Sequence, residues 1–209
     1  MIAVLIAAAA WAAPEVLPPT ETPKQPLLHD VRLMIRGMAE SLEDDGIGTV
    51  YGNGFRAGGV GLVVPIWNGL GVEVEFAYAR MKPKDEGTNR LEIMPISVPI
   101  EWSFGDRNGR LDVFLGAGPS FTVFSERHGP NEEGISVTRG TRVGIDTRVG
   151  ARFDLGLIKP PMPPANAGPL RAIEIEIYLG RRFQMPHNES WTGFDLAAWR
   201  GAISLGLRF

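Results

Sequence analysis

Cysteine is absent from the 209 residues. Its absence removes disulfides, thiolate chemistry, cysteine-based metal sites and lipid attachment to an N-terminal cysteine. Positive charge is not in excess: the formal net charge is −3, and no basic patch is visible along the chain, which argues against a nucleic-acid role. Long apolar runs are missing too. The longest, Met1 to Ala13, falls short of the roughly 20 apolar residues that a spanning helix needs. Histidine is scarce: His29, His128 and His187 share no metal-ligand spacing of the HExxH kind, and the sequence proposes no metal, cofactor or catalytic residue. Glycine and proline are abundant, 26 and 17 residues, as a chain of many strands and turns requires. A mean hydropathy of −0.01 resembles that of a soluble protein. It does not exclude a membrane barrel, in which only alternate residues touch lipid.

The N-terminus divides by composition. Residues 1–12 read as a secretory signal peptide, with cleavage after Ala12 in the Ala10-Trp11-Ala12 pattern, although no Lys or Arg precedes the apolar run. Residues 13–28 carry prolines that forbid helix and favour an extended periplasmic segment. Residues 29–209 remain as one domain.

The chain is organised around Thr141 to Leu155. Its odd positions include Val143, Ile145, Val149, Phe153 and Leu155, and its even positions are Arg142, Gly144, Asp146, Arg148, Gly150, Arg152 and Asp154. Alternation of this kind puts one set on each face of a strand. The polar face carries more charge and glycine than a solvated face needs. The same pattern, smooth and apolar against charged and small, recurs in Val31–Glu40, Phe55–Trp67, Val72–Met81, Leu91–Phe104, Leu111–Phe124, Arg171–Phe183 and Trp199–Phe209. Eight such stretches, each long enough to cross a bilayer at a tilt, predict an all-β, antiparallel up-and-down transmembrane barrel. Short turns follow the second and fourth stretches and longer loops follow the first, third, fifth and seventh. The proline-rich link after the sixth departs from that alternation. Glu43 to Asn53 reads as one of the loops. Trp67, Trp102, Phe104 and Phe209 are expected at one membrane interface, and Phe55, Tyr78, Phe121 and Trp199 at the other.

The ionisable residues on the polar faces are Arg32, Arg36, Arg142, Arg148, Arg152, Arg182, Arg200 and Arg208, against Glu40, Glu73, Glu75, Glu101, Asp112, Asp146, Asp154, Glu174 and Glu176. The signs nearly balance. An eight-stranded barrel is only wide enough inside for side chains to fill it, and an unpaired charge there costs several kcal/mol. A paired network that plugs the lumen is therefore expected. Its bases are all Arg, whose planar fork suits carboxylates.

The final stretch WRGAISLGLRF, the glycine-rich LDVFLGAGPSF and the MPISVPIEWSF segment resemble the small outer-membrane β-barrels of Gram-negative bacteria, the OmpA/OmpX/OmpW-like group, over about Asp30 to Phe209. The resemblance implies a place in the bacterial outer membrane and a periplasmic N-terminus. It implies contact with outer-membrane lipids and lipopolysaccharide. Ile203, Leu205, Leu207 and Phe209 would form the signal read by the outer-membrane assembly machinery. Pro65, Pro95, Pro99 and Pro119 depart from the pattern, since each removes a ladder hydrogen bond. A bulge among them would shift the parity of the fourth stretch.

Chemistry is sparse. His187 with Glu189 and Ser190 suggests a lipid hydrolase only weakly, because a loop places catalytic groups loosely. GAGPS is no phosphate loop, lacking a following Lys and helix. The function expected is structural or surface-interactive, with the loops as contact surface for a ligand. A narrow channel for small or apolar solutes, which the OmpW likeness implies, and an outer-leaflet lipid-modifying enzyme stand as alternatives.

Overall fold

The computed structural model describes residues 31–67, 69–84, 88–105, 110–129, 136–157, 170–185 and 195–209. The elements are β1 Arg32–Leu42, α1 Asp45–Val50, β2 Gly54–Trp67, β3 Leu70–Met81, β4 Arg90–Ser97, β5 Ile100–Ser103, β6 Leu111–Arg127, β7 Val137–Asp154, β8 Ala172–Gln184 and β9 Ala198–Arg208. Apart from β4 and β5, which do not pair with each other, successive strands pair antiparallel, and β1 also pairs with β9, so the sheet closes on itself. β4 and β5 are two halves of one stave, both lying between β3 and β6. The result is an eight-stranded up-and-down barrel, as the alternation predicts. The expectations for residues 1–30 lie outside the described residues.

Parity is kept across the break in the fourth stave. Ser97 lies opposite Glu75 on one side of the break and Glu101 opposite Gly71 on the other, with both buried. No bulge falls among the prolines of this stave, so its parity stands as read from the alternation. Pro99 merely lacks the N–H that would continue the ladder, while its carbonyl still accepts from Glu73 N at 3.0 Å. A Cβ at Gly118 would stand 2.3 Å from the Val98 carbonyl oxygen, so only glycine allows β6 to approach here. The irregularity falls instead between Pro65 and Trp67 of β2.

Two expectations are corrected. The stretch after β1 is not all loop. Asp44 caps α1, its Oδ1 accepting from Ile47 N at 2.8 Å, as expected of an Asp at this position. Ile47 and Tyr51 then turn inward, which gives a Gly- and Asp-rich segment a helical turn. Phe55 marks no interface: it is buried inside the barrel, because it shares the parity of Gly59 and Gly61 rather than that of Val60 and Leu62.

Exterior and interior differ sharply. Ile35, Val60, Leu62, Val74, Phe76, Leu115, Val149, Ile177, Leu179, Ile203 and Leu205 are exposed on the outside. Trp67, Trp102 and Phe104 are exposed toward the end where Arg32 pairs with Arg208, called here the lower end; Tyr78, Phe121 and Trp199 are exposed toward the end carrying α1, the upper end. Trp102 and Phe104 stack with centroids 5.3 Å apart. Large apolar side chains around the whole circumference, rimmed by aromatics, form a belt suited to lipid and costly in water.

Candidate functional site: the barrel interior

The interior is built from the buried residues of eight staves, and the registers arrange them in layers. At the lower rim Arg32 bridges Asp112 at 3.3 Å and Glu174 at 3.2 Å, and Arg208 bridges Glu174 at 3.3 Å and Asp154 at 3.4 Å. Arg32, Arg208, Asp112 and Asp154 are partly exposed, whereas Glu174 is buried.

Above the rim, Arg152 donates from both terminal nitrogens to Glu101, each at 2.6 Å, and from Nε to Glu176 at 2.7 Å. Its guanidinium carbon lies 4.0 Å from the centre of the Phe114 ring. One fork thus satisfies two carboxylates from different strands while its face covers an aromatic, an arrangement that Lys cannot reproduce.

The middle layer is densest. Arg36 donates to Glu73, to Glu75 at 2.5 Å and to Glu176 at 2.6 Å. Arg148 bridges Glu73 at 3.0 Å and Glu75 at 3.3 Å. Arg200 donates to Glu75 and, at 2.9 Å, to Asp146. Tyr178 stands at the centre: its hydroxyl donates to Glu75 at 2.9 Å and accepts from Arg200. The Arg36, Arg148 and Arg200 guanidiniums lie 5.3, 5.4 and 5.3 Å from its ring centroid. Glycine makes the room. A Cβ at Gly61 would strike the Arg36 guanidinium and the Glu73 carboxylate, and one at Gly116 would press on the Arg148 stem. One step higher Arg182 pairs with Glu40 and donates to Thr122 at 3.4 Å and to the Leu196 carbonyl at 3.3 Å.

The upper end is apolar instead. Leu42, Ile47, Tyr51, Phe55, Met81, Leu91, Ile93, Phe124 and Leu196 are buried together. Arg142 lies among them with its guanidinium 5.6 Å from the Phe124 ring. The Tyr51 hydroxyl donates to Glu126 at 2.7 Å; burial and that carboxylate together raise its pKa above the usual tyrosine value. Lys84 donates to the Gly48 carbonyl at 2.6 Å, and Asp44 accepts from Asp195 N at 2.7 Å. The turn of helix is thereby tied to segments on both sides of the mouth. Polar parity in the sequence did not reveal this cap, although Phe55, Met81 and Phe124 do carry the inward parity of their strands.

Ser120, Thr122, Arg142, Gly144, Arg182, Gln184 and Leu196 border a narrow gap near this layer that has no room for a water molecule, so it is no small-molecule site. Among the described residues no group of three or more His, Asp or Glu side chains is placed to hold a metal ion. His187, Glu189 and Ser190 lie outside the described residues. Ile203 and Leu205 face outward and exposed, and Phe209 N donates to the Val31 carbonyl at 2.9 Å, so the last residue is tied to the start of β1.

The architecture can be set beside solved structures. The outer membrane protein OprG of Pseudomonas aeruginosa superimposes with a TM-score of 0.53 at 15% identity, over 87% of this chain and 96% of that one. Ail, the attachment invasion locus protein of Yersinia pestis, solved in complex with the heparin analogue sucrose octasulfate, gives 0.52 at 15% identity, over 87% and 99%. This is the fold of the small outer-membrane β-barrels. At such identity the likeness is one of fold. No family model matches the sequence, and no curated protein does. What this barrel does is therefore argued from its own residues: an ionic fill through the lower and middle interior, and an apolar cap over it.

Proposed function

We propose that the protein is an integral outer-membrane barrel with a closed lumen, working through its surface rather than through transport or catalysis. The observation that carries this reading is the middle layer. Arg36, Arg148 and Arg200 span the interior from β1, β7 and β9 to Glu73 and Glu75 on β3, with Tyr178 of β8 between them. Side chains that reach across the whole width leave no continuous aqueous path. Buried charges paired in this way are also held by one another rather than by a passing solute.

The upper loops present the contact surface. That Ail carries a heparin analogue in its crystal structure supports a ligand-binding role for barrels of this shape. Outer-membrane lipids and lipopolysaccharide would surround the belt, and the assembly machinery would read Ile203, Leu205, Leu207 and Phe209. Residues 1–12 would direct export, leaving residues 13–28 in the periplasm.

The deciding experiment is a planar-bilayer recording of the purified, refolded barrel. A silent trace is expected, together with heat-modifiable gel migration that reports a closed, resistant barrel. Steady single-channel steps would defeat the closed-lumen reading.

A further inference from the structure

Five arginines stand on the outer wall of one sector at the upper end. Arg56 of β2, Arg80 of β3, Arg127 of β6 and Arg139 of β7 are exposed, and Arg90 of β4 is half-exposed. Their strands are consecutive around the barrel. They are scattered over more than eighty positions of sequence, so no basic run announces them; the registers bring them together. Arg90 lies directly opposite Arg127, and Arg139 opposite Ser125, two residues below Arg127 on β6. Arg56 and Arg80 flank the last registered pair of their ladder, Ala57 opposite Ala79. Among the described strand residues one carboxylate shares the face: Glu92, opposite Arg80 and half-buried. None of the five arginines forms an ion pair or hydrogen bond with a described residue. Like charges placed opposite each other on neighbouring strands are destabilising. An anion between them removes that cost.

Position selects the anion. Arg56 and Arg80 lie just above Tyr78 and Phe76, Arg139 lies on the same register row through Glu92 and Ser125, and Arg90 and Arg127 stand one row higher, above the exposed Phe121 and Val143 of the apolar belt. On β3 the belt runs directly from Tyr78 to Arg80, and on β6 and β7 only Val123, Ser125 and Thr141 separate it from Arg127 and Arg139. A molecule whose acyl chains lie on the belt brings its headgroup to the arginines. Arg90 is two register steps beyond Arg80's partner Glu92, so the two tiers stand about 7 Å apart at the rise of a strand. Two tiers of planar donors at different heights match a headgroup bearing more than one phosphate, each held by a guanidinium fork.

We propose that this sector binds a membrane lipid with a multiply phosphorylated headgroup. The proposal rests on the reading that the belt lies in a bilayer. It does not depend on whether the lumen is closed.

The test is native mass spectrometry of the folded protein in non-ionic detergent, offered a bisphosphorylated glycolipid of the lipopolysaccharide type or phosphatidylcholine. The wild type should retain the glycolipid in preference by about tenfold or more, given the attraction of each basic residue for an anionic headgroup. The variant Arg56→Gln/Arg80→Gln/Arg90→Gln/Arg127→Gln/Arg139→Gln should lose that preference. It should unfold at the same or a higher denaturant concentration, because it removes repulsion. Equal retention by wild type and variant would overturn the proposal. So would competition by inorganic phosphate or sucrose octasulfate as effective as that of the lipid, since the patch would then serve soluble anions. Bilayer current separates the two readings. A conducting wild type that still selects the glycolipid sinks the closed lumen alone, and a silent wild type without selection sinks this proposal alone.

Discussion

At the scale of single residues, burial decides what an ion pair is worth. Arg152 is about 1% exposed in its side chain and holds Glu101 and Glu176, whereas Arg208 is 17% exposed and holds Asp154 and Glu174 at longer range. Replacing Arg152 by Met leaves two buried carboxylates without their main partner and should cost about 3–5 kcal/mol. Replacing Arg208 by Met should cost under about 1 kcal/mol, because water already reaches Asp154 and the buried Glu174 keeps Arg32 as its partner. Denaturant titrations of the two variants in the same detergent check the difference; equal losses would mean that the middle of the lumen is as wet as its rim. Glycine gives a second contrast. Gly118→Ala drives a methyl into the Val98 carbonyl and Pro99 and should cost about 1–3 kcal/mol. Gly37→Ala meets nothing within 4 Å and should be neutral or slightly stabilising, since it reduces the freedom of the unfolded chain. If both changes were neutral, the close approach of β6 to the broken stave would be wrong.

At the scale of the element, alternation carried most of the architecture, and the reason is physical. A strand in a closed barrel has one face on the belt and one in the interior all along its length. Period two therefore survives even where hydrogen bonding fails, as it does at Pro99. What alternation could not show was the end of a strand. β6 and β7 run to Arg127 and back from Val137, past Phe124, where the alternating stretch of the sequence ends. It also could not show α1, whose six residues are too few for a helical period to register. The charged positions were legible from parity, but their partners were not. Arg36 meets Glu176 from 140 positions away, a contact that depends on how far β9 has carried the chain around the barrel. The lipid face offers an independent check on parity. Val149 is 49% exposed between the buried Arg148 and the smaller Gly150. Val149→Arg should destabilise the barrel by about 2–4 kcal/mol if the site lies near the bilayer midplane. Refolding yield into vesicles against urea measures it; an unchanged yield would place Val149 in water.

For the whole molecule, the closed lumen proposed above rests on two layers in series, and their contributions can be separated. The cap at the upper end rests on Ile47, Tyr51, Phe55 and Leu196, buried with no charge of their own. The middle layer rests on Arg148 and Glu75 with their neighbours. An ion crossing the barrel would have to pass both, so opening one should leave the current at baseline. Ile47→Gly/Tyr51→Gly loosens the cap and exposes the ionic layer to water from above without unpairing it. Arg148→Ala/Glu75→Ala removes one base and one acid together, which keeps the charge balance while clearing part of the cross-section. Neither pair of changes alone should give single-channel steps in a planar bilayer, whereas the four combined should. Current from the cap variant alone would place the seal in the helix and make the ion pairs a scaffold that solvent can thread. Silence from the combined variant, in protein that still shows heat-modifiable migration, would mean that the remaining layer of Arg152, Glu101 and Glu176 closes the lower half by itself.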